Sequence, residues 1–303
     1  MVKAVTAVIT TYKRPENVVE RAIKSVVKQT YPIEQVLLVN DAPEQADLAS
    51  KLEQLANKYE NQHVRYIAMP ANGGACHARN YGAGFAEGDF IAFLDDDDEW
   101  RSDKIACMIA AMENNAEYAL VYSDLLWEQC DGSFRPMVMK SGGVNTFSQI
   151  LADNYIGTTS GPLLRKSAFF DAGMFDVDMP SCQDQDLWIR MLRQGQAGYI
   201  NQTLTIYHYS RDSAFKGNGD RYYSGILRLF EKYDSDYRSN RFAASKAANL
   251  RALDFLITYR DIRKYVFLKK TGMKYCPISP YTIGALPYRL VGKMLSRISS
   301  HCR

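Results

Sequence analysis

The stretch GDFIAFLDDDDEW, at residues 88–100, joins an apolar run to an acidic one. Phe90 to Leu94 are five consecutive apolar residues, a pattern typical of a strand that is buried on both faces. Four aspartates and Glu99 follow directly, before Trp100. The stretch therefore predicts a buried strand of an α/β sheet that ends in a cluster of carboxylates.

Strand-like and helix-like segments alternate on both sides of this stretch. Apolar runs predict strands at 4–11, 35–39, 64–67, 90–94 and 119–123. Helical spacing of apolar residues predicts helices opened by Pro15, around 48–55, at 75–86 and at about 103–114. Such alternation predicts βαβ units, a mostly parallel, Rossmann-related sheet and helices on its faces. Residues 124–210 are expected to mix short strands with helices near 166–172 and 184–194.

Polar side chains follow three of the predicted strands where each one ends. They are Thr10, Thr11, Tyr12, Lys13 and Arg14 after the first strand, Asn40 and Asp41 after the second, and Asp95 to Glu99 after the fourth. In an open α/β sheet, ligands bind in the crevice outside the carboxyl ends of the strands. The three strand ends therefore predict one shared binding crevice.

The acidic run carries the sharpest chemical signal. Adjacent carboxylates repel one another, and a hard divalent cation relieves that repulsion while it keeps positions open for the phosphates of a substrate. The alternative is an acidic turn before the next helix, with Ser102 or Asp103 as its cap. The position directly after FIAFL favours the cation site.

Two other readings can be tested by spacing. A phosphohydrolase with an aspartyl-phosphate needs the pattern DxDx[TV], which fails because Glu99 and Trp100 stand where Thr or Val should follow in the frames that begin at Asp95 and Asp96. A dinucleotide-binding fold needs GxGxxG directly after a strand. Gly82, Gly84 and Gly88 are spaced GxGxxxG instead, which fits helix packing and the turn into the fourth strand better.

Five ordered blocks resemble a known family, the inverting nucleotide-sugar glycosyltransferases of family 2 with the GT-A fold. The blocks are VITTYKRP, LLVNDAP, NGGACHARN, GDFIAFLDDDDEW and QDQDLWIRML, and the resemblance covers roughly residues 3–215. It implies a GT-A-like domain, a UDP-sugar as donor and Mn²⁺ or Mg²⁺ as cofactor. It also implies transfer of a hexose-type sugar, with inversion, to a hydroxyl of a glycan or polyprenyl-linked acceptor in bacterial surface polysaccharide assembly.

The resemblance also implies roles for particular residues. The nucleotide base and ribose contact the positions of Thr10, Tyr12 and Asp41, and Arg79 in the ARN block reaches the nucleotide. The DxD element corresponds to Asp95, Asp96 and Asp97, with Asp97 as the direct metal ligand. Together the donor-binding set comprises Thr10, Tyr12, Arg14, Asp41, Arg79, Asp95 and Asp96. For Arg79 the alternative is an ion pair on a helix surface, and for Tyr12 and Asp41 a turn at a strand end.

The position of Asp184 is that of the catalytic base in the resembling family. Family members commonly have Glu before this aspartate, where this chain has Gln183. The alternative for Asp184 is a capping role, since carboxylates are stabilised at a helix N-terminus. Asp186 is interpreted as structural. His208 is a candidate further metal ligand, although a lone histidine is more often a structural residue.

Charge is distributed unevenly along the 303 residues, whose net charge is +3. Residues 241–303 carry 13 Lys or Arg against two Asp, which is +11 and leaves −8 on residues 1–240.

We expect a GT-A domain at 1–220, with a nucleotide-binding half at about 1–125 and an acceptor half at about 126–220, followed by a basic helical C-terminal region at 221–303. From Arg289 onward an apolar stripe lies beside a basic one, which predicts a helix on an anionic membrane.

Composition limits the remaining possibilities. Apolar residues make up 47% and charged residues 23%, as in ordinary globular proteins. The six cysteines form no CxxC pair and are expected to be free thiols. No segment predicts a membrane span, so we expect a cytoplasmic protein that is peripheral on the inner face of the cell membrane. Packing of the tail on the catalytic domain or across a homodimer stays open, and no nucleic-acid motif accompanies the charge.

Two alternative functions stay open at this point. A nucleotidyltransferase can share a related fold, but its glycine-rich phosphate loop is absent because TTYKRP occupies that place. A sugar-nucleotide or polysaccharide binding protein without activity is the other alternative. The presence of Asp97 and Asp184 argues against it.

Overall fold

A computed structural model describes residues 3–129, 131–139, 147–208 and 219–280 of the protein. The strands are β1 (Val5–Thr11), β2 (Gln35–Asn40), β3 (Val64–Ala68), β4 (Phe90–Asp95), β5 (Glu99–Trp100), β6 (Tyr118–Glu128), β7 (Phe134–Met137), β8 (Leu163–Arg165) and β9 (Gln196–Tyr207). The helices are α1 (Glu16–Val27), α2 (Ala46–Lys58), α3 (Ala75–Ala83), α4 (Lys104–Asn114), α5 (Phe147–Ala152), α6 (Lys166–Asp171), α7 (Gln183–Leu192), α8 (Gly219–Lys232), α9 (Asp234–Ser239), α10 (Arg241–Asp254) and α11 (Ile262–Tyr275).

The strands form one sheet in the order β3-β2-β1-β4-β8-β6-β9-β5, with β7 paired to β6. The pairs β1–β2, β2–β3, β1–β4 and β6–β9 are parallel. The short strands β5, β7 and β8 pair antiparallel to their neighbours. The expected α/β fold, with a mostly parallel sheet and flanking helices, is confirmed.

Two apolar layers cover the two faces of the sheet. Along β1, Ala7 and Ile9 pack with α1, α2 and α4, whereas Val8 packs with α3, α6 and α7. This alternation follows from the two-residue period of a strand. Gly82 lets α3 approach the sheet closely, since a Cβ there would lie 2.7 Å from Val8 Cγ1. The interpretation of this glycine as a packing residue is confirmed.

The expectation of short strands after residue 124 is wrong for β9, which has 12 residues and pairs with the 11-residue β6. The register between them shifts after the Ser123–Ile200 pair, so that Asp124 next pairs with Thr203. A bulge of this kind interrupts the alternation of buried and exposed positions. Because of this interruption, the polar sequence around Gln202 does not predict one long strand.

Helices α8 to α11 confirm the expected helical C-terminal region, and they pack on the sheet domain. Their buried side chains join the apolar layer on the α7 side. Polar contacts support this packing: the Tyr237 hydroxyl donates to Leu151 O over 3.1 Å, and Arg193 pairs with Asp236 at 2.7 Å. Residues 281–303, including the stripes that begin at Arg289, lie outside the described residues.

Two smaller findings concern cysteines and membrane spans. The cysteines at 76, 107, 182 and 276 are free, as expected, and those at 130 and 302 lie outside the described residues. Across the described part of the chain, every helix is too short or too polar to cross a bilayer.

Candidate active site

The register of the sheet brings the polar strand ends to one edge. Thr10 of β1 lies beside Asp95 of β4, and Thr11 lies beside Asn40 of β2. The amide of Asp41 extends this pairing by donating to Thr11 O over 2.9 Å. Tyr12 follows with about half of its surface exposed. The predicted crevice therefore has a floor of strand ends and an accessible aromatic ring at its rim.

Asp41 is buried and joins β2 to the loop before α3. Its carboxylate accepts from Asn72 Nδ2 at 3.0 Å and from the amides of Gly73 and Gly74 at 2.8 Å each. Gly74 has φ +83°, a conformation that glycine adopts without strain. This carboxylate therefore sets the position of the loop at the start of α3.

Basic side chains from α1, α3 and the β1 end meet the acidic run. Arg14 binds Asp96 Oδ1 at 3.1 Å and Asp97 Oδ2 at 3.0 Å. Arg21 donates to Asp97 O at 2.7 Å. Arg79 is buried and pairs with Asp95, with its guanidinium 5.4 Å from the Phe175 ring. The alternative of a surface ion pair for Arg79 is therefore wrong.

The acidic run is short of positive charge despite these partners. Burial raises the pKa of Asp96 to about 6, and burial together with the charge of Asp95 raises the pKa of Asp97. Burial also raises the pKa of Asp98 well above the ordinary aspartate range. Asp98 Oδ2 is buried and has no hydrogen-bond partner among the described residues. These hard, under-neutralised oxygens fit a divalent cation.

Asp97 stays the predicted metal ligand, and its carboxylate is accessible. Its carboxylate is partly exposed, unlike that of Asp98. In the described ranges no three His, Cys, Asp or Glu side chains converge to hold a metal on their own. Mg²⁺ in phosphate-binding sites is commonly held by one or two carboxylates and the phosphates of the substrate. Asp97 fits that manner of binding.

His208 lies at the end of β9, close to the acidic run. Its Nδ1 is 2.7 Å from Glu128 Oε2 and its Nε2 is 2.6 Å from Glu99 Oε1. Its amide is 3.4 Å from Asp98 Oδ1. Both ring nitrogens are therefore engaged by carboxylates, and the imidazole would have to exchange one of them to bind a metal.

A buried lysine, Lys104, is linked to the acidic run through residues 160–161. Lys104 Nζ donates to Ser160 O at 2.6 Å, Gly161 O at 2.7 Å and Thr205 Oγ1 at 2.8 Å. Ser160 in turn accepts the amide of Asp95 on its hydroxyl at 3.0 Å. Burial lowers the pKa of Lys104, and the charge of Asp98 opposes that effect. The segment at 160–161 is thereby fixed against the end of β4.

Asp184 lies in the first turn of α7 and is held by two donors. Oδ1 accepts the amide of Gln185 at 2.8 Å, and Oδ2 accepts Asn154 Nδ2 at 3.0 Å. Burial raises the pKa of Asp184, while these hydrogen bonds and the charges of Arg251 and Arg79 lower it. A carboxylate so held, with its pKa above the ordinary range, can accept a proton.

Arg79 connects the two halves of the site. Burial lowers the pKa of its guanidinium, whereas Asp95 and then Asp184 raise it. Burial raises the pKa of the Tyr207 hydroxyl, and the charges of Asp98 and Asp184 raise it further. Arg79 therefore pairs with Asp95 and is also close enough to Asp184 for that charge to raise its pKa.

Asp186 has the structural role that the sequence indicated. It is fully buried, and Arg190 and Lys232 contact its two oxygens at 2.7 Å each. The Tyr233 hydroxyl donates to it over 2.8 Å. These contacts tie α7 to α8, and Asp176, 2.6 Å from Lys232, balances the second cation.

Sequence reasoning missed Asn154, Lys104, Glu128 and Arg251. Arg251 of α10 donates to Gln185 Oε1, and Gln185 Nε2 donates to Ile150 O at 2.9 Å. Neither Asn154 nor Arg251 belongs to a motif, and both are far from residue 184 along the chain. A single Lys on the apolar side of a helix was the one available signal for Lys104.

The amino-acid sequence of the chain is similar to those of known proteins. The model of the family described as glycosyl transferase family 2 matches residues 6–170. A relative named for colanic acid biosynthesis, the glycosyl transferase WcaA of Escherichia coli strain K12, is 24% identical over 220 residues, which cover 72% of this chain and 77% of WcaA.

Two solved structures share the fold at low sequence identity. Residues 1–349 of S. aureus TarS, in complex with UDP-GlcNAc, align with a TM-score of 0.63 and 14% identity over 89% of this chain and 81% of that one. The chain spans about half, 49%, of a longer TarS structure. The mannosyltransferase PcManGT of Pyrobaculum calidifontis, in complex with GDP-Man and Mn²⁺, aligns with a TM-score of 0.63 and 14% identity over 96% and 80%.

Proposed function

This chain belongs to glycosyl transferase family 2, and on that premise we propose that it transfers a hexose-type sugar from a UDP-sugar to a hydroxyl of a glycan or polyprenyl-linked acceptor. The proposed transfer depends on Mn²⁺ or Mg²⁺ and inverts the anomeric carbon. The observation that carries the proposal is that the ends of β1, β2 and β4 meet at an under-neutralised acidic run, where Arg79 pairs with Asp95 and is close enough to Asp184 for that charge to raise its pKa.

The donor is proposed to lie along the strand ends. Thr10, Tyr12 and Asp41 would contact the base and ribose, and Tyr12 offers an exposed ring for stacking. Arg79, Asp95 and Asp96 would line the sugar-phosphate side. Arg14 already bridges Asp96 and Asp97, so in this proposal it shares its charge between those carboxylates and the diphosphate.

Asp97 would hold the metal together with the diphosphate, and His208 is the proposed further ligand. The bound ion supplies neutralisation of the charge that develops on the departing diphosphate. Asp184 takes the proton from the acceptor hydroxyl while that oxygen bonds to the anomeric carbon from the face opposite the diphosphate. The bond from the anomeric carbon to the diphosphate oxygen breaks, and its electron pair leaves with the nucleotide.

The setting is proposed from the relatives and the charge distribution. WcaA is named for colanic acid biosynthesis, which supports the proposed role in surface polysaccharide assembly at the cytoplasmic face of the cell membrane. The basic C-terminal region at 221–303 would contact anionic lipid, and a homodimer stays a proposal. Residues 1–220 remain the proposed catalytic domain, divided near residue 125.

A screen of nucleotide sugars tests the donor and the metal together. Ligands that bind only the folded state raise its apparent stability, so a UDP-hexose with Mn²⁺ is expected to raise Tm by several degrees and to raise it far less in EDTA. A larger shift with GDP-sugars would overturn the UDP assignment. Binding without transfer or donor hydrolysis would favour a binding protein.

Arg251 is expected to act as a positioning residue for Asp184, and the pH profile tests this. Arg251→Met removes a positive charge that lowers the pKa of Asp184, so that pKa should rise and the acidic limb of kcat should move to higher pH. Arg251→Lys keeps the charge and should keep the limb near its wild-type position. Arg79, Cys76, Cys182 and Tyr207 also face Asp184 and are unchanged in both variants.

The comparison of the two variants separates charge from packing. A purely structural role would lower Tm and kcat in both variants without moving the acidic limb of the profile of kcat against pH. Equal pH profiles for wild type and Arg251→Met would contradict the assignment.

A further inference from the structure

Helix α11 turns one face to the solvent and the other to α10. The exposed residues follow helical spacing and are Ile262, Arg263, Val266, Phe267, Lys270, Met273 and Lys274, here called the α11 outer face. On the opposite side Leu268, Gly272 and Tyr275 are buried. A Cβ at Gly272 would lie 3.0 Å from Ala248 Cβ, so the inner side packs closely on α10.

The outer face combines protruding apolar side chains with cations. Ile262, Phe267 and Met273 are 57%, 49% and 48% exposed. Five of the twelve large apolar side chains that are exposed in the described residues lie between 262 and 278. Helix α11 contains no Asp or Glu. Exposed apolar residues concentrated on one face mark an interaction surface.

Some cations of α11 lie on its inner side, toward α10, and others lie on its outer face. Lys264 pairs with Asp220 and Asp261, and Lys269 donates to Asn249, so these inner cations are neutralised or hydrogen-bonded by the protein. Within the described ranges no ion pair involves Arg263 or Lys270 of the outer face. The outer face therefore presents positive charge to whatever covers it.

We propose that the α11 outer face binds the surface of an anionic lipid bilayer. An interfacial helix places apolar side chains at the acyl boundary and its cations among anionic headgroups. The outer face has both apolar side chains and cations, and it has no carboxylate that would repel the headgroups. Protein interfaces are depleted in lysine, which makes a second copy of the chain a poorer match. The inference deepens the proposed contact of residues 221–303 with anionic lipid by naming the surface that makes it, and it uses neither the sugar transfer nor residues 281–303.

Vesicle co-sedimentation of the full chain tests this proposal. We expect binding to vesicles of phosphatidylcholine mixed with phosphatidylglycerol and little binding to phosphatidylcholine alone. Each cation near an anionic surface is worth about 1 kcal/mol, so Arg263→Glu with Lys270→Glu should weaken binding at least about tenfold. Ile262→Ser with Met273→Ser should weaken it as well, with a smaller dependence on salt.

The matched control is Lys28→Glu with Lys51→Glu, which makes the same change in charge at exposed residues of α2 and the end of α1. It should bind like wild type, and all variants should keep the wild-type Tm because every substituted side chain is exposed. Equal binding by the α11 charge variant and wild type would overturn the proposal, as would equal binding to neutral and anionic vesicles. A dimer that the Ile262→Ser, Met273→Ser variant loses, without any lipid binding, would assign the face to a second copy.

Discussion

Replacing Asp184 with Asn is expected to lower kcat by about 10²- to 10⁴-fold, the usual contribution of a general base. The amide is nearly isosteric and keeps an oxygen for one of the two donors that hold the carboxylate, Gln185 N or Asn154 Nδ2. It cannot accept the proton of the acceptor hydroxyl. Binding of UDP with Mn²⁺ should stay near the wild-type level, because Asp184 does not belong to the proposed donor-binding set.

The control for this variant is Asp178→Asn, an equal change at an exposed residue six positions earlier. It should leave kcat unchanged. Steady-state transfer and nucleotide titration on both variants separate catalysis from binding. A normal transfer rate in Asp184→Asn would show that this carboxylate only stabilises the start of α7.

Asp97→Ala should abolish measurable turnover, a loss of at least about 10²-fold, because Lewis-acid stabilisation of a leaving group is worth several kcal/mol. EDTA should have the same effect on the wild type. The variant should also lose the Mn²⁺-dependent part of the rise in Tm with UDP, a readout that needs no acceptor. The Arg14 guanidinium would keep Asp96 as a partner.

Asp89→Ala is the matched control, since Asp89 is an exposed aspartate directly before the other end of β4. It should retain both turnover and the metal-dependent shift in Tm. Full activity of the wild type in EDTA would rule out the metal-dependent mechanism. An Asp97→Ala variant that is inactive yet keeps the metal-dependent shift would move the ligand role to another residue of the run.

The strands and the edge of the sheet that carries the site could be predicted from sequence. Buried parallel strands appear as uninterrupted apolar runs, and Asp95 follows such a run directly while Asp41 follows one after Asn40. Because parallel strands place their carboxyl ends at one edge, local pattern was sufficient to bring these residues together. The donor-binding and catalytic assignments themselves rest on family resemblance and stay predictions.

The partners of the site residues could not be predicted, because they depend on tertiary packing. Asn154 reaches Asp184 across 30 residues and Arg251 reaches Gln185 across 66. The engagement of His208 by Glu99 and Glu128 likewise depends on where β9 and β6 end in space. The bulge in β9 hid a long strand, since it breaks the two-residue period on which strand recognition relies.

The contacts of α7 with α8 and α10 have a consequence for the order of events on the ribosome. Asp186 is buried with a charge that Lys232 helps to balance, and Gln185 is held by Arg251. Both partners are synthesised well after α7. At about 5–20 residues per second the 66 residues from Gln185 to Arg251 take roughly 3 to 13 s. During that interval β1 to β4 are already synthesised, whereas the segment that carries Asp184 still lacks Arg251, so it acquires its full set of contacts only after α10 has been synthesised.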